Sequence, residues 1–202
     1  MPIIKLDDRT IEQIAAGEVI ESPVSVVKEL VENSIDAGSK NIVVEIKKGG
    51  KTYIRVTDDG VGITNEQMPL AFEKHATSKI KDFSDLYGIY SLGFRGEALA
   101  SITTVGHVIA ISKTANDNVG KKIEFKNSKI NESPIATNNG TSIEVIDLFN
   151  NVPVRKKFLK SDIAESNSIS KLMYSLAIGY SGISIKYIKD GRVEFKTNAN
   201  DP

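Results

Sequence analysis

The sequence contains no cysteine, which excludes disulfide bridges and zinc–thiolate sites. It also lacks any apolar stretch long enough to cross a membrane. The N-terminus does not show the basic-then-apolar pattern of a signal peptide. We therefore expect a cytoplasmic protein that makes no membrane contact.

An excess of charge is absent as well, because 26 Lys and Arg residues balance 26 Asp and Glu residues. This balance argues against a module dedicated to nucleic-acid binding. Two phosphate-binding patterns are also missing, namely Gly-x-Gly-x-x-Gly after a strand and the Gly-Lys-Ser/Thr phosphate loop. Any ATP binding by this chain therefore requires another architecture.

What is present is 202 residues with 40% apolar content, which suits one domain with a real core. Alternating apolar residues predict strands near 42–46, 53–58, 107–113, 121–126 and 141–148, and a hairpin over 183–195. Helical spacing predicts helices near 8–17, 22–38, 64–72 and 162–179, whereas the polar run 127–139 indicates a loop. The predicted fold class is α/β (α+β), a two-layer sandwich with a mixed, mostly antiparallel sheet and helices on one face.

The predicted helix 22–38 is the most informative segment. Its apolar side carries Val24, Val27, Leu30, Val31 and Ile35, and its opposite side carries Glu29, Glu32, Asn33 and Asp36. A solvated face normally includes lysines that relieve repulsion among acids. Three carboxylates and an amide instead offer oxygen atoms suited to a hard cation, with an ordinary acidic surface as the alternative.

Three further segments follow along the chain. Asp58-Asp-Gly-Val-Gly62 ends a predicted strand, and its glycines let backbone approach a ligand beside a fixed carboxylate. Gly93–Leu99 leads into a helix start, whose free N–H groups suit phosphate, and Thr141 opens a strand. Residues 74–96 are polar and punctuated by glycine, which predicts a functional lid.

In this order, the segments resemble the ATPase superfamily that groups gyrase, the heat-shock chaperone, histidine kinases and MutL. Within it, the sequence resembles the MutL family of DNA mismatch repair proteins from about Ile3 to Leu159. Five motifs carry the resemblance: Ile14-Ala-Ala-Gly-Glu-Val-Ile20, Lys28-Glu-Leu-Val-Glu-Asn-Ser-Ile-Asp-Ala-Gly38, His75-Ala-Thr-Ser-Lys79, Gly93-Phe-Arg-Gly-Glu-Ala-Leu99 and Asn151-Val-Pro-Val-Arg-Lys-Lys-Phe-Leu159. Asn150 stands where an aromatic residue is common, and Val154 where alanine is common, but neither position is a phosphate or metal ligand.

The resemblance implies a Bergerat-type ATP-binding domain over 1–202, with an N-terminal arm at about 1–20 and the lid at about 74–96. The nucleotide would lie between the helices that cover the sheet and the lid. A transducer subdomain, which supplies a lysine to the γ-phosphate, and a C-terminal dimerisation region are expected outside this chain.

Roles at the expected site follow from the residues and the resemblance together. Glu29 is the expected general base for the water that attacks the γ-phosphate, and Asn33 the expected Mg²⁺ ligand. Asp36 either orients a lid residue or caps the following turn. Asp58 is expected to accept a hydrogen bond from the adenine amino group, which predicts preference for ATP over GTP because guanine carries an oxygen there.

Other residues are expected to line the same site. Gly60 and Gly62 would let backbone lie against the adenine ring, and Thr141 either supports Asp58, directly or through water, or is a plain strand threonine. The phosphate side is expected to comprise Thr77, Ser78, Lys79, Gly93, Arg95, Gly96, Glu97, Ala98 and Leu99. Lys79 and Arg95 have the alternative of being surface charges, and His75, which has no clear partner in the sequence, is assigned to the lid.

The expected function is that of a Mg²⁺-dependent DNA mismatch repair ATPase. ATP would close the lid, the full-length protein would dimerise through its N-terminal regions, and slow hydrolysis would reset it. By resemblance, its partners are ATP, a mismatch-recognition protein and DNA without sequence specificity, with association at the nucleoid during repair. The alternative is a scaffold that binds nucleotide without hydrolysing it and serves only to bind partners or DNA.

A late basic run is the candidate DNA contact. It comprises Arg155, Lys156, Lys157 and Lys160, with Phe158 and Leu159 expected to anchor it. A solvated helix start is an equally good interpretation of this run.

Overall fold

The computed structural model describes residues 3–5, 7–77, 96–127 and 129–199. Its helices are α1 (Asp8–Val19), α2 (Pro23–Asp36), α3 (Ala98–Val105), α4 (Pro153–Phe158) and α5 (Asp162–Gly179), with short 3-10 turns at Lys48–Gly50 and Leu70–Phe72. Its strands are β1 (Asn41–Lys47), β2 (Tyr53–Asp58), β3 (His107–Lys113), β4 (Gly120–Lys126), β5 (Lys129–Ile135), β6 (Gly140–Ile146), β7 (Ser184–Lys189) and β8 (Arg192–Lys196). No helix in these ranges is both long and apolar enough to span a membrane.

The described strands form one eight-stranded sheet in the order β5-β4-β3-β6-β2-β1-β7-β8. All neighbouring strands run antiparallel except β1 and β7, which are parallel. Alternate strand residues, such as Ile42, Val44 and Ile46, are fully buried beneath the helices. The prediction of a mixed, mostly antiparallel sheet covered by helices is therefore confirmed.

Helix α2 begins and ends close to the predicted residues. Ser22 is the N-cap by backbone geometry, although its side chain makes no capping hydrogen bond, and Pro23 occupies the first turn. Gly38 follows the helix with a φ of +73°, a conformation that favours glycine. The helix packs on β1, β2 and α5, so its apolar side forms the centre of the core.

The predicted helix over 64–72 is wrong. This segment forms turns and the single 3-10 turn Leu70–Phe72, although the N–H of Gln67 does donate to Thr64 Oγ1 at 3.3 Å. Residue 69 is proline, which lacks the N–H that an α-helix needs to bond residue 65. Met68 is nevertheless buried, so the segment still packs on the core.

The predicted loop over 127–139 is also corrected. Within it lies β5, which pairs with β4 along its whole length. Six of its seven residues are exposed, so residues pointing to either face are open to solvent, and β5 is also the edge strand of the sheet. An edge strand without a buried face has no alternation of apolar residues, and so its sequence pattern carries no strand signal.

Candidate active site

The helix-covered face of the sheet becomes polar at one end of three adjacent strands. Apolar residues occupy this face along each strand, and the next residue in the row is Asp58 in β2, Thr141 in β6 and Ser112 in β3. Thr141 and Ser112 are direct cross-strand partners, and β2 lies beside β6. The fold therefore gathers a carboxylate and two hydroxyls at one edge of the core.

The Asp58 carboxylate is largely buried and held by three donors. Ser34 Oγ donates to Oδ2 at 2.8 Å, and the backbone N–H groups of Gly60 and Thr141 donate to Oδ1 at 2.9 and 3.2 Å. Burial raises the pKa of Asp58 above its ordinary value, and these hydrogen bonds offset only part of that effect. The result is a fixed acceptor in a poorly solvated position, with room on Oδ2 for one more donor.

The neighbouring Asp59 has a different environment. Its side chain accepts the N–H groups of Lys40 and Asn41 at 2.8 Å each and the Asn41 amide at 2.7 Å. Slight burial acts against its charge, but the hydrogen bonds from Asn41 and Lys40 prevail and lower the pKa of Asp59. Asp59 thus connects the start of β1 to the end of β2 and has a structural role. Of the two neighbouring acids, Asp58 is therefore the candidate for binding a ligand.

Gly60 and Gly62 lie against the chain itself. A Cβ at Gly60 would stand 2.7 Å from Ser39 Oγ, and one at Gly62, where φ is +74°, would collide with the carbonyl of Lys113. Gly140 likewise packs directly on the carbonyl of Asp58. These contacts require glycine for the fold alone, before any ligand is considered.

Sequence reasoning missed Ser34 and Ser112. The Ser112 hydroxyl is fully buried and contacts Ile63 N, Gly140 O and Thr141 Oγ1 at 2.8, 3.0 and 2.9 Å. The support that Thr141 gives to Asp58 comes from its backbone N–H, while its side chain turns to Ser112. The signal available in the sequence was a serine interrupting an apolar row at the end of a strand or within a helix.

The polar side of α2 lies beside this cluster, because Ser34 directly follows Asn33. Glu29 and Asn33 are half-buried, whereas Asp36 is exposed. This side is less purely acidic than the sequence suggested, since Lys28 Nζ lies 3.3 Å from Glu32 and 4.0 Å from Glu29. Glu32 therefore acts as an ion-pair partner of Lys28.

The described residues contain no cluster of three His, Cys, Asp or Glu side chains able to hold a metal. The donor set at Asn33 nevertheless fits Mg²⁺, which keeps several waters and takes most other ligands from phosphates. A single half-buried amide oxygen on the polar side of α2 meets that requirement.

The described residues on either side of segment 78–95 meet in the fold. Gly96, with a φ of +62°, packs on the backbone of Ala76, and α3 begins two residues later. His75 has a partner that the sequence did not reveal, because its Nδ1 lies 3.4 Å from Glu97 Oε1. Thr77, Gly96, Glu97, Ala98 and Leu99 are thereby brought to one place. Ser78, Lys79, Gly93, Arg95 and most of the expected lid lie outside the described residues.

Two of the four cations in the basic run around α4 contact other parts of the chain. The guanidinium of Arg155 lies directly against Gly17 of α1, and Lys156 Nζ donates to Asn150 Oδ1 at 2.9 Å. Lys157 and Lys160 are exposed. Phe158 is 82% exposed, so the expectation that it anchors the run is wrong, and Leu159 alone packs on the core.

Comparison with known proteins shows a match over residues 20–155 to the family model described as histidine kinase-, DNA gyrase B-, and HSP90-like ATPase. The chain is 51% identical over 196 residues to the DNA mismatch repair protein MutL of Caldanaerobacter subterraneus subsp. tengcongensis, covering 96% of this chain and 33% of that protein. It is 50% identical to MutL of Thermoanaerobacter pseudethanolicus, with 96% and 32% covered. The chain thus spans about a third of the length of the curated relatives it matches.

Solved structures agree with these matches. The Aquifex aeolicus MutL ATPase domain complexed with ADP superposes with a TM-score of 0.76 at 34% identity, covering 91% of this chain and 66% of that one. The N-terminal domain of a DNA repair protein gives a TM-score of 0.78 at 30% identity, covering 95% and 57%.

Proposed function

This chain belongs to the family of histidine kinase-, DNA gyrase B- and HSP90-like ATPases, with a MutL-type ATPase domain, and we propose that it is an ATP-hydrolysing switch of DNA mismatch repair. The observation that carries the proposal is the buried Asp58 carboxylate, which Ser34, Gly60 and Thr141 hold beside the polar side of α2. An oriented, partly buried acceptor next to a half-buried glutamate and amide suits a purine nucleotide and its phosphates.

Asp58 is the proposed base-recognition residue. Its Oδ2 accepts one bond from Ser34 and keeps lone-pair capacity for the adenine amino group. Guanine presents an oxygen at that position, so two acceptors would face each other without a proton between them. The site is therefore expected to prefer ATP over GTP.

The phosphate end is proposed to lie between α2 and the start of α3. Asn33 would give its amide oxygen to Mg²⁺, which neutralises charge on the transferring phosphoryl group when bound. Backbone N–H groups near Thr77 and over Gly96–Leu99 would bind phosphate oxygens. Lys79 and Arg95, with Ser78 and Gly93, complete this side in the proposal.

Glu29 is the proposed general base. It lies four residues before Asn33, so the two side chains project from the same side of α2. A carboxylate there can take a proton from the attacking water, while Asn33 would hold the Mg²⁺ ion at the phosphate end. Phosphoryl transfer needs mainly positioning and charge neutralisation, so this small set is sufficient.

The conformational cycle extends the proposal to the full-length protein. ATP would close the lid over 74–96, whose described ends meet at Ala76 and Gly96, and closure would favour dimerisation of the N-terminal regions. The proposed partners are a mismatch-recognition protein and DNA, which would be bound without sequence specificity. The proposed location is the cytoplasm, with association at the nucleoid during repair. Lys156, Lys157 and Lys160 are the exposed members of the proposed DNA contact, and Lys156 also donates to Asn150.

The experiment that tests this function is a titration of Mg²⁺-ATP into this chain and into a longer chain that extends past Pro202, followed by phosphate-release assays on both. We expect ATP binding by both chains and faster phosphate release by the longer one, because the second subdomain is expected to supply a lysine. Binding without release from the longer chain would favour the non-hydrolysing scaffold. No binding by either chain would contradict the proposal.

A further inference from the structure

The Ser112 hydroxyl makes three hydrogen-bond contacts at the end of a row of core residues that is otherwise apolar. The three contacts reach two segments near Asp58: one goes to the loop at Ile63, and two go to the start of β6, at the Gly140 carbonyl and the Thr141 side chain. It is fully buried at the end of β3, where the rest of the row is apolar. A polar side chain in that position is costly unless its hydrogen bonds are satisfied.

Only one assignment of donors and acceptors satisfies all three hydrogen bonds of Ser112. Ile63 contributes an N–H, which can only donate, and Gly140 contributes a carbonyl, which can only accept. Ser112 has one proton, and the contact with Gly140 uses it. The contact between Ser112 and Thr141 must then use the proton of Thr141.

We infer that Ser112 is a positioning residue for base specificity, which holds the Thr141 hydroxyl proton inward so that Thr141 offers only lone pairs to the nucleotide base. The inference rests on the proposed function, in which adenine lies at Asp58. Thr141 is next to that position because its backbone N–H donates to Asp58 Oδ1 at 3.2 Å. The base then meets two acceptors, Asp58 Oδ2 and Thr141 Oγ1.

At position 6 of a purine, an edge made only of acceptors selects an amino group over an oxygen. Adenine carries an amino group there and hypoxanthine an oxygen. We place Thr141 Oγ1 toward that position, since at position 1 hypoxanthine carries a proton and adenine a lone pair. If Ser112 lost its hydroxyl, the Thr141 proton would have no internal acceptor and could be donated to the hypoxanthine oxygen. The loss should therefore improve binding of inosine triphosphate relative to ATP.

The test compares dissociation constants for ATP and inosine triphosphate in wild type, Ser112→Ala, Thr141→Val and the double variant. We expect Ser112→Ala to reduce the preference for ATP by roughly threefold to tenfold, the worth of one neutral hydrogen bond. It should have no further effect on the preference when Thr141 is already valine. Ser170→Ala is the matched control, because it removes another buried serine hydroxyl, one that contacts Tyr187 Oη at 3.3 Å.

The Thr141→Val single variant tests the inference independently, through the direction in which it changes the preference for ATP over inosine triphosphate. If Thr141 presents an acceptor, this variant weakens ATP more than inosine triphosphate, and the opposite order would overturn the inference even if Ser112→Ala failed to fold. An unchanged preference in folded Ser112→Ala, or an equal loss in the Thr141→Val background, would overturn it as well. The Asp58→Asn variant distinguishes failure of the proposed function from failure of this inference. If ATP affinity is the same in Asp58→Asn and wild type, the proposed function is wrong. If Asp58→Asn weakens ATP binding but Ser112→Ala does not change the preference for ATP, only this inference is wrong.

Discussion

Ser34 donates a hydrogen bond of 2.8 Å to Asp58 and so joins the helix that carries Glu29 and Asn33 to the strand end at the proposed base site. The same hydroxyl lies 3.1 Å from the Leu30 carbonyl, one turn earlier in α2. A single side chain thus connects the proposed catalytic side of α2 with the end of β2. The two halves of the proposed nucleotide site are therefore mechanically linked within the core.

Replacing Ser34 with alanine should lower both the free energy of unfolding and the ATP affinity. The variant leaves a buried carboxylate oxygen with one donor fewer, which costs about 1–3 kcal/mol. Urea unfolding and calorimetric titration measure the two effects. Ser175→Ala is the control, because its exposed hydroxyl bonds the carbonyl of Lys171 within α5 and it should change neither quantity.

Replacing Asp58 with asparagine should lower ATP affinity by roughly ten- to a hundredfold, since a hydrogen bond to a charged group contributes about 1.5–3 kcal/mol. GTP affinity should fall much less. Asp59→Asn is the matched control. The Asp59 side chain accepts hydrogen bonds from Lys40 and Asn41, so we expect this variant to leave nucleotide binding unchanged. A parallel loss for both nucleotides in Asp58→Asn would remove Asp58 from base recognition.

The lowered pKa of Asp59 predicts a pH-dependent contribution to stability. Slight burial opposes its charge, but the hydrogen bonds from Asn41 and Lys40 favour the charged form in the folded state, so the contribution is complete above the unfolded value near 3.8. It is lost as pH falls through the lower folded pKa. The difference in urea midpoint between wild type and Asp59→Asn should therefore be present at pH 7 and shrink below pH 3.8. A constant difference across this range would contradict the assignment.

The basic run predicts a salt-dependent contact with DNA. Changing Lys157 and Lys160 to alanine in a longer chain should flatten the dependence of DNA affinity on salt by about 0.9 in log–log slope for each phosphate that is no longer neutralised. ATP affinity should be unchanged. Lys171→Ala, an exposed lysine on α5, is the control. An unchanged slope would leave the run as ordinary surface charge.

Arg155 should behave differently from these lysines. Its guanidinium packs on Gly17 of α1, so Arg155→Ala should mainly destabilise the packing of α4 on α1. Thermal unfolding of this variant would show a lower midpoint, while the salt slope for DNA changes little. The opposite result would return Arg155 to the DNA contact.

The parts of the fold that sequence predicts are those with one buried face. Ile42, Val44 and Ile46 alternate because β1 lies under the helices, and the pattern is visible without a structure. β5 has no buried face and leaves no pattern. The helix expected near residue 67 fails because Pro69 removes a necessary donor, which the apolar spacing of Met68 and Phe72 concealed.

At the site, acids and glycines were visible in the sequence, but their supporting partners were not. Asp58 stands out at a strand end, whereas Ser34 gains meaning only when α2 is placed over β2. Ser112 requires the register of β3 with β6, which no local pattern specifies. The contact of His75 with Glu97 joins residues on either side of segment 78–95 and depends on how the chain returns to α3.

The most direct test of the central claim is ATP hydrolysis by Glu29→Ala in a longer chain, measured with ATP affinity on the same sample. We expect affinity to be retained and the rate of phosphate release to fall roughly 10²–10⁴-fold, because a general base acts on water and not on the nucleotide. Glu32→Ala, which removes the neighbouring ion-pair partner of Lys28, should keep most of the rate. Equal losses of binding and turnover in Glu29→Ala, or an unchanged rate, would contradict the account.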